Sequence, residues 1–229
     1  QKVSKGQAGI TDHIRNCFDI LKEELSLTNN LHILEEASWV YNCDQSCIQM
    51  CLNTGKVLGI QGKKIIYQIT PGPEKSNLTF IGYFNTREDI VNPGILYPYV
   101  RIPADIDDSV LNEWYYSAIE SGWMNFETFK DYIQTGFIPW LTENNIQRPV
   151  ILFVDRHHSH ISMQLSLYCQ ENGVILYLLP PNTTHILQPA NVGPFKPLRA
   201  YWRKAVLNFK RENPNSLEGF IAGRMLLLC

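Results

Sequence analysis

The sequence predicts an α/β domain in which helices flank a mixed sheet. Two continuous apolar runs, at 149–155 and 174–179, lie on either side of a helical pattern at 160–171. A strand, a helix and a strand in this order are typical of a βαβ unit, whose parallel strands are joined by a right-handed crossover and buried on both faces. Shorter strand patterns precede this unit and an amphipathic helix follows it, which indicates further strands with other pairings.

Size and composition are those of an ordinary globular protein. The chain has 229 residues, of which 45% are hydrophobic and 18% charged, so it can bury a sizeable core. The net charge of −2 argues against binding polyanions over the whole surface, but it is compatible with a local basic patch. No apolar run approaches the roughly 18 residues of a membrane span. The six cysteines are too scattered for a disulfide scaffold, and we expect reduced thiols in an intracellular compartment.

The first half is predicted to hold one helix and a series of strands. Hydrophobic residues recur at helical spacing over 10–29. Pro98 predicts that the last strand of the series lies at an edge of the sheet. Strand patterns, separated by turn pairs such as Thr54-Gly55, occur at 38–44, 46–52, 63–69, 77–84 and 95–99.

The second half is predicted to add helices around the βαβ unit. Ser159 is the expected N-cap of the helix at 160–171, and Gly173 is the expected residue just beyond its end. A break is expected near Pro139. The other helical patterns lie at 108–120, 125–141 and 196–210, and Ser216 could cap a last helix.

These elements suggest three parts of a chain that we expect to be a piece of a longer protein. Residues 1–37 form a helical lead-in, residues 38–212 form the main domain, and residues 213–229 form a C-terminal helix that we expect to be truncated. No internal repeat or low-complexity tract is visible.

Asp44 and Asp155 are candidates for metal ligands, because each is the last residue of a predicted apolar strand. Binding sites in open α/β sheets form outside the carboxyl ends of strands. A single Asp there is often only a turn former or a helix cap, but two on separate strands point to a shared pocket for a hard divalent cation. A pair of such ions usually needs a third carboxylate, and the position for it is expected in the loop at 188–194.

Five segments of the chain carry a resemblance to a known family, from about residue 10 to the end. They read NCDQSCIQMCLNTGKVLG, SGWMNFETF, VILFVDRHHSH, LLPPNTTHILQPANVGPFKPL and YWRKAV, in that order. Together they resemble the DDE-type endonuclease domain of pogo/Tigger/Jerky-like transposases, a branch of the Tc1/mariner superfamily. The resemblance implies an RNase H-like fold, a location in the nucleus, and cleavage and transfer of DNA strands with Mg²⁺ or Mn²⁺ as the cofactor. DNA is the partner that it implies; a homodimer is compatible with it, whereas a membrane or a small-molecule substrate is not expected.

The resemblance places the catalytic, metal-binding positions of the family at Asp44, Asp155 and Asn191. The first acid is followed in the family by Glu-Thr-Gly and in this chain by residues 45–47, which read Gln-Ser-Cys. Arg156 replaces a usual Gly or Asn after the second acid. The third position is an Asp in the family, and an Asn oxygen can bind Mg²⁺ but adds no negative charge. We therefore expect weaker metal binding and impaired cleavage, or loss of the metal altogether.

Polar side chains beside these positions are expected to orient the acids. The resemblance implies this role for His158, His160, His185 and Gln188, through hydrogen bonds to the ligands. A zinc site built from the histidines, with one open coordination position, is the alternative. Adjacent His157 and His158 fit that alternative poorly, because neighbouring side chains rarely share a face.

The helix at 196–210 combines an apolar stripe with a basic face. Because it follows the third catalytic position, we expect its basic face to contact the DNA backbone; a merely solvated face is the alternative. The stripe consists of Leu198, Trp202, Ala205 and Phe209, and the expected backbone contacts are Lys196, Arg199, Arg203 and Lys204.

Two other interpretations stay open at the level of sequence. The domain could be catalytically dead and domesticated, acting as a DNA-associated scaffold for protein contacts or dimerisation. A failure of Asp44 and Asp155 to bind Mg²⁺ or Mn²⁺ would indicate that role. An unrelated phosphatase-like or zinc-dependent hydrolase is the other interpretation, against which the order of the five segments argues.

Overall fold

A computed structural model describes residues 5–49, 77–102, 104, 113–155, 162–180 and 187–212 of the chain. The strand predicted at 63–69 and the helix expected after Ser216 lie outside these ranges.

Within the described part of the chain, six strands form one mixed sheet. The strands are β1 (Val40–Gln49), β2 (Asn77–Asn85), β3 (Gly94–Tyr97), β4 (Tyr115–Ala118), β5 (Val150–Val154) and β6 (Val174–Leu178). Their order across the sheet is β4-β3-β2-β1-β5-β6. β2 runs antiparallel to both β1 and β3, whereas β5 runs parallel to both β1 and β6. This arrangement confirms the predicted mixed sheet and the parallel strands of the βαβ unit.

Helices cover both faces of this sheet. They are α1 (Lys5–Leu27), α2 (Phe126–Tyr132), α3 (Ile138–Glu143), α4 (Met163–Glu171), α5 (Pro189–Val192) and α6 (Phe195–Glu212). A π-helical turn at Ile133–Phe137 joins α2 to α3. Pro139 is the second residue of α3 and has no N–H to donate to the carbonyl one turn back, so regular α-helical hydrogen bonding is interrupted just before it. The expected break near Pro139 is thereby confirmed.

Hydrophobic side chains pack against the sheet from two sides. On one face, α2, α3 and α4 enclose the largest cluster, in which the ring of Tyr83 stacks on that of Phe137 with centroids 4.7 Å apart. On the opposite face, α1 places Leu25 over β5 and β6, and α6 places Trp202 over β1, β2 and β3. On this face, β5 therefore lies under α1 and the C-terminal part of β1 lies under α6, so the two strands meet at the border between the two helices.

β1 differs from its prediction, because it is one strand of ten residues rather than two short ones at 38–44 and 46–52. Its antiparallel register with β2 runs without interruption through Asp44↔Gly82 to Gln49↔Asn77. Backbone hydrogen bonds of such a ladder do not depend on side-chain polarity, so the polar residues of β1 stay extended. Asp44 consequently lies inside a strand and not at the end of one.

The helix predicted at 108–120 is wrong over its described part, because Tyr115–Ala118 is strand β4, parallel to β3. Aromatic residues favour strands where they pack across a sheet, and the ring of Tyr115 stacks on that of Tyr132 at 4.8 Å. Since β4 lies outside it, β3 is not the edge strand that Pro98 suggested. Pro98 instead follows directly after the end of β3.

Helix α4 begins at Met163 instead of at 160, and its N-cap is Ser162 rather than Ser159. The hydroxyl of Ser162 accepts hydrogen bonds from the backbone N–H groups of Gln164, at 3.1 Å, and Leu165, at 3.4 Å. Gly173 has a φ of +69° just beyond the helix, as predicted.

Candidate active site

Asp44 and Asp155 stand level with each other on neighbouring strands. β1 and β5 are parallel, with Asn42 opposite Phe153. The same register, carried two residues further, sets Asp44 beside Asp155, which follows directly after β5. Because side chains alternate along a strand, both acids project to the face that also carries α1 and α6. The fold thus brings together two acids that are far apart in sequence.

The two acids differ in their exposure to solvent. Asp44 is 4% exposed, and its Oδ1 accepts a hydrogen bond from the backbone N–H of Gln45 at 2.8 Å. Asp155 is half-buried. Burial raises the pKa of the neighbouring Cys43 thiol well above its usual value, and the charges of Asp44 and Asp155 raise it further. Both carboxylates therefore act electrostatically on the same point of β1.

The donor chemistry of these acids fits a hard divalent cation. Mg²⁺ and Mn²⁺ prefer oxygen ligands, and two neighbouring carboxylates on one face repel each other unless a cation or hydrogen-bond donors offset their charge. Among the residues that the structure describes, no group of three or more His, Cys, Asp or Glu side chains is arranged to hold a metal ion. The predicted third ligand, Asn191, is an amide and so belongs to another ligand type.

Helix α5 brings the third predicted position to the strand that carries Asp44. Asn191 lies in this short helix, which contacts β1, although its side chain is outside the described part. Ala190 is buried and packs in one cluster with Ile48 of β1. Gln188, directly before the helix, is fully buried. These contacts anchor the 187–193 segment on β1, on the face to which Asp44 projects.

The three histidines predicted to orient the acids, His158, His160 and His185, lie outside the described residues. Their role remains a prediction, and so does the zinc site that would be built from them.

Helix α6 has the two faces that the sequence predicts. Trp202 is buried, and the other members of the apolar stripe are partly buried against the same cluster. Phe195 and Val206 are buried as well, which the spacing of the stripe did not predict. The four residues predicted to contact the DNA backbone are all exposed: Lys196, Arg199, Arg203 and Lys204.

Arg199 also makes a contact that the sequence did not predict. Its Nε donates a hydrogen bond to the hydroxyl of Ser46 at 2.9 Å. Ser46 lies two residues after Asp44 on β1, so the two side chains share a face. Strand alternation could have singled out Ser46, but nothing local in the sequence indicates its partner.

Comparisons with known proteins agree with this geometry. A family model described as DDE superfamily endonuclease matches residues 68–227. The Mos1 transposase paired-end complex with left transposon end has the same fold at 10% sequence identity, with a TM-score of 0.54, and the match covers 99% of this chain and 60% of that one. The Mos1 mariner paired-end complex with Mn gives a TM-score of 0.55 at 10% identity, covering 100% of this chain and 60% of that one.

A curated relative from Cochliobolus lunatus is named MFS-type transporter clz9. It is 26% identical over 129 residues, which are 56% of this chain and 14% of that protein. The chain therefore spans a small part of this relative and 60% of each Mos1 chain. Among the described helices, none has both the length and the apolar character needed to span a bilayer.

Fold, site and family model lead to one assignment. The sheet places Asp44 level with Asp155, the segment of Asn191 packs against the same strand, and the family match extends over more than half of the chain. The chain belongs to the DDE superfamily endonucleases, and its helix-flanked mixed sheet has the RNase H-like fold of the Tc1/mariner-type transposase Mos1.

Proposed function

We propose that this chain is the DNA-binding and metal-binding core of a transposase-derived protein of the pogo/Tigger/Jerky group. The observation that carries the proposal is the register of β1 and β5, which sets Asp44 level with Asp155 beside the segment of α5. An exposed basic helix, α6, borders the same face of the sheet. Acids that hold a cation and bases that hold phosphates are what phosphodiester chemistry on DNA requires.

Each group has its own role in the proposed chemistry. Asp44 and Asp155 would hold Mg²⁺ or Mn²⁺, and the bound cation would supply Lewis-acid activation of the phosphodiester and of the attacking oxygen. The hydrogen bond from Gln45 and the burial of Asp44 keep that carboxylate in place before the cation arrives. The exposed bases of α6 would hold phosphates on either side of the cleaved bond.

We infer that cleavage is impaired because of the residue at position 191. Two carboxylates balance the charge of one divalent cation, whereas a pair of cations needs more negative charge than Asp44 and Asp155 carry. The amide of Asn191 offers an oxygen but no charge. The same deficit favours a second candidate function, in which a domesticated domain binds DNA without cutting it and serves as a scaffold for protein contacts or dimerisation.

A plasmid-nicking assay tests the proposed cleavage. The natural chain should nick supercoiled DNA slowly or not at all with Mg²⁺ or Mn²⁺, and Asn191→Asp should raise the rate at least about tenfold, because it restores charge at the site. Asp155→Ala should abolish nicking in both backgrounds. Fast nicking by the natural chain that Asp155→Ala removes would refute the impairment and leave the metal site standing.

A Mn²⁺ titration separates the scaffold from the enzyme. Paramagnetic resonance of free Mn²⁺ reports binding without any need for turnover. An active or impaired enzyme should bind Mn²⁺ at a site that Asp155→Ala removes, whereas a pure scaffold should bind DNA and show no such Mn²⁺ site.

The proposal also includes the organisation of the chain. We propose domain limits at 38–212, an action in the nucleus, where the DNA is, and assembly as a homodimer. Limited proteolysis with mass spectrometry, imaging of a fluorescent fusion and sedimentation equilibrium test these three points in turn.

A further inference from the structure

Arg199 joins helix α6 to strand β1 in the immediate neighbourhood of Asp44. Its Nε donates to the Ser46 hydroxyl at 2.9 Å, and its Cζ lies 6.0 Å from the centroid of the Phe195 ring. Ser46 is 1% exposed, whereas Arg199 as a whole is exposed. The guanidinium is therefore anchored at its inner end on a buried hydroxyl while it still meets solvent.

The spacing along β1 brings this guanidinium close to the acids. Residues two apart on a strand point to the same face and are separated by about 6.6 Å. The guanidinium bonded to Ser46 therefore lies on the same face as the carboxylate of Asp44, one two-residue step further along β1. The charge of Arg199 also acts on this strand. Burial raises the pKa of the Cys47 thiol, and the positive charge of Arg199 partly offsets that rise.

The other exposed bases of α6 are placed differently. In the described part of the chain, Lys196, Arg203 and Lys204 make no side-chain hydrogen bond to β1 comparable to that of Arg199. Among these four bases, Arg199 is thus the one that the buried hydroxyl of Ser46, on the strand of Asp44, holds in place. A planar guanidinium also matches two oxygens of one phosphate, which a lysine ammonium does not.

We propose that Arg199 binds the same phosphodiester as the cation held by Asp44 and Asp155, and that Ser46 positions Arg199 for this. The inference rests on the proposed metal-dependent function and adds a residue to it. With Asn191 in place of an acid, the site has too little negative charge to hold a second cation, and the guanidinium supplies the phosphate with positive charge that such a cation would otherwise supply. The remaining bases of α6 bind phosphates away from the acids.

The test measures the coupling between Mn²⁺ and DNA on the 229-residue chain. Two ligands that share a phosphate raise each other's affinity, so Mn²⁺ should tighten the binding of a fluorescent DNA duplex in an anisotropy titration against EDTA. Arg199→Gln should lower the Mn²⁺-dependent increase in DNA affinity about tenfold. Arg203→Gln, the matched control one turn further, should weaken binding by the same factor with and without Mn²⁺.

Two further variants guard against a merely structural effect. Ser46→Ala leaves the charge of Arg199 in place but removes its hydrogen bond to β1, so it should remove part of the Mn²⁺-dependent gain in DNA affinity. Arg199→Lys keeps the positive charge but lacks the planar guanidinium. Its Mn²⁺-dependent increase in DNA affinity should therefore lie between that of Arg199→Gln and that of the natural chain. Circular dichroism of each variant checks that it is folded.

The outcomes separate this inference from the proposed function. If Arg199→Gln weakens DNA binding equally with and without Mn²⁺, Arg199 is an ordinary backbone contact and the inference is overturned. If Mn²⁺ binds at a site that Asp155→Ala removes while Arg199→Gln weakens DNA binding equally with and without Mn²⁺, the inference fails and the proposed metal site stands. If Mn²⁺ does not bind to the chain at all, the metal site and the inference fail together.

Discussion

Asp44 and Asp155 face the same side of the sheet at the same level of two parallel strands. One of them is 4% exposed and the other half-buried, so two negative charges share a region from which water is largely removed. Such an arrangement opposes folding unless it is offset, and it turns favourable when a cation binds. Metal affinity and stability should therefore respond differently to the loss of one charge.

Asp44→Asn should lower the affinity for Mn²⁺ at least about tenfold, because the amide removes one of the two charges that attract the cation. In EDTA it should change the free energy of unfolding by no more than about 1 kcal/mol, since the Asn oxygen can still accept from the Gln45 N–H. Calorimetric titration and urea unfolding measure the two quantities. The exposed Asp19→Asn serves as the control and should alter neither. Unchanged Mn²⁺ affinity in Asp44→Asn would contradict the assignment.

The exposed bases of α6 should appear in the salt dependence of DNA binding. A protein that neutralises phosphates releases counterions, and each neutralised phosphate adds about 0.9 to the steepness of log K against log salt. Lys196→Ala, Arg203→Ala and Lys204→Ala should each reduce the steepness by about that amount, as measured by anisotropy at several salt concentrations. Arg101→Ala, an exposed arginine outside α6, is the control. Equal slopes in all four variants would favour the solvated-face alternative.

Ser162→Ala should destabilise the chain by about 1 kcal/mol, because the substitution removes the acceptor of the Gln164 and Leu165 N–H groups. Urea unfolding followed by circular dichroism gives the difference. The exposed Ser166→Ala, inside the same helix, has no capping role and should be close to neutral. If Ser159→Ala were costly and Ser162→Ala neutral, the N-cap assigned by the structure would be wrong.

Two buried thiols should make the chain less stable at alkaline pH. Burial raises the pKa of Cys169 to about 12, and it raises the pKa of Cys43 well above the usual value of 9.0. As the pH rises past the usual value, the unfolded chain loses thiol protons that the folded chain keeps. The unfolded state then binds fewer protons, so the free energy of unfolding falls with rising pH.

Alkylation measures these thiols directly. Iodoacetamide reacts with the thiolate, so Cys43 and Cys169 should react much more slowly in the folded chain than in urea at about pH 8. Peptide mass spectrometry assigns the modified residues, and the urea-unfolded chain is the control. Alkylation of Cys43 at the same rate in both states would contradict its burial.

Local patterns were sufficient where structure depends on neighbours in sequence. The βαβ unit, the break near Pro139 and the amphipathic α6 follow from apolar periodicity and from the missing N–H of proline, which act within a few residues. Patterns failed where pairing with distant strands decided the outcome. β1 continues past Asp44 because β2 pairs with it throughout, and β4 forms because β3 offers an edge.

The sequence by itself determined which chemical groups the candidate site can use: the two acids, the amide of Asn191 and a basic helix directly after it. Only the tertiary structure decided that Asp44 lies inside a strand level with Asp155, and that Arg199 reaches Ser46, a residue 153 positions away. Strand register and helix docking arise from packing and hydrogen bonds between such distant residues, and a local pattern of residues does not encode them.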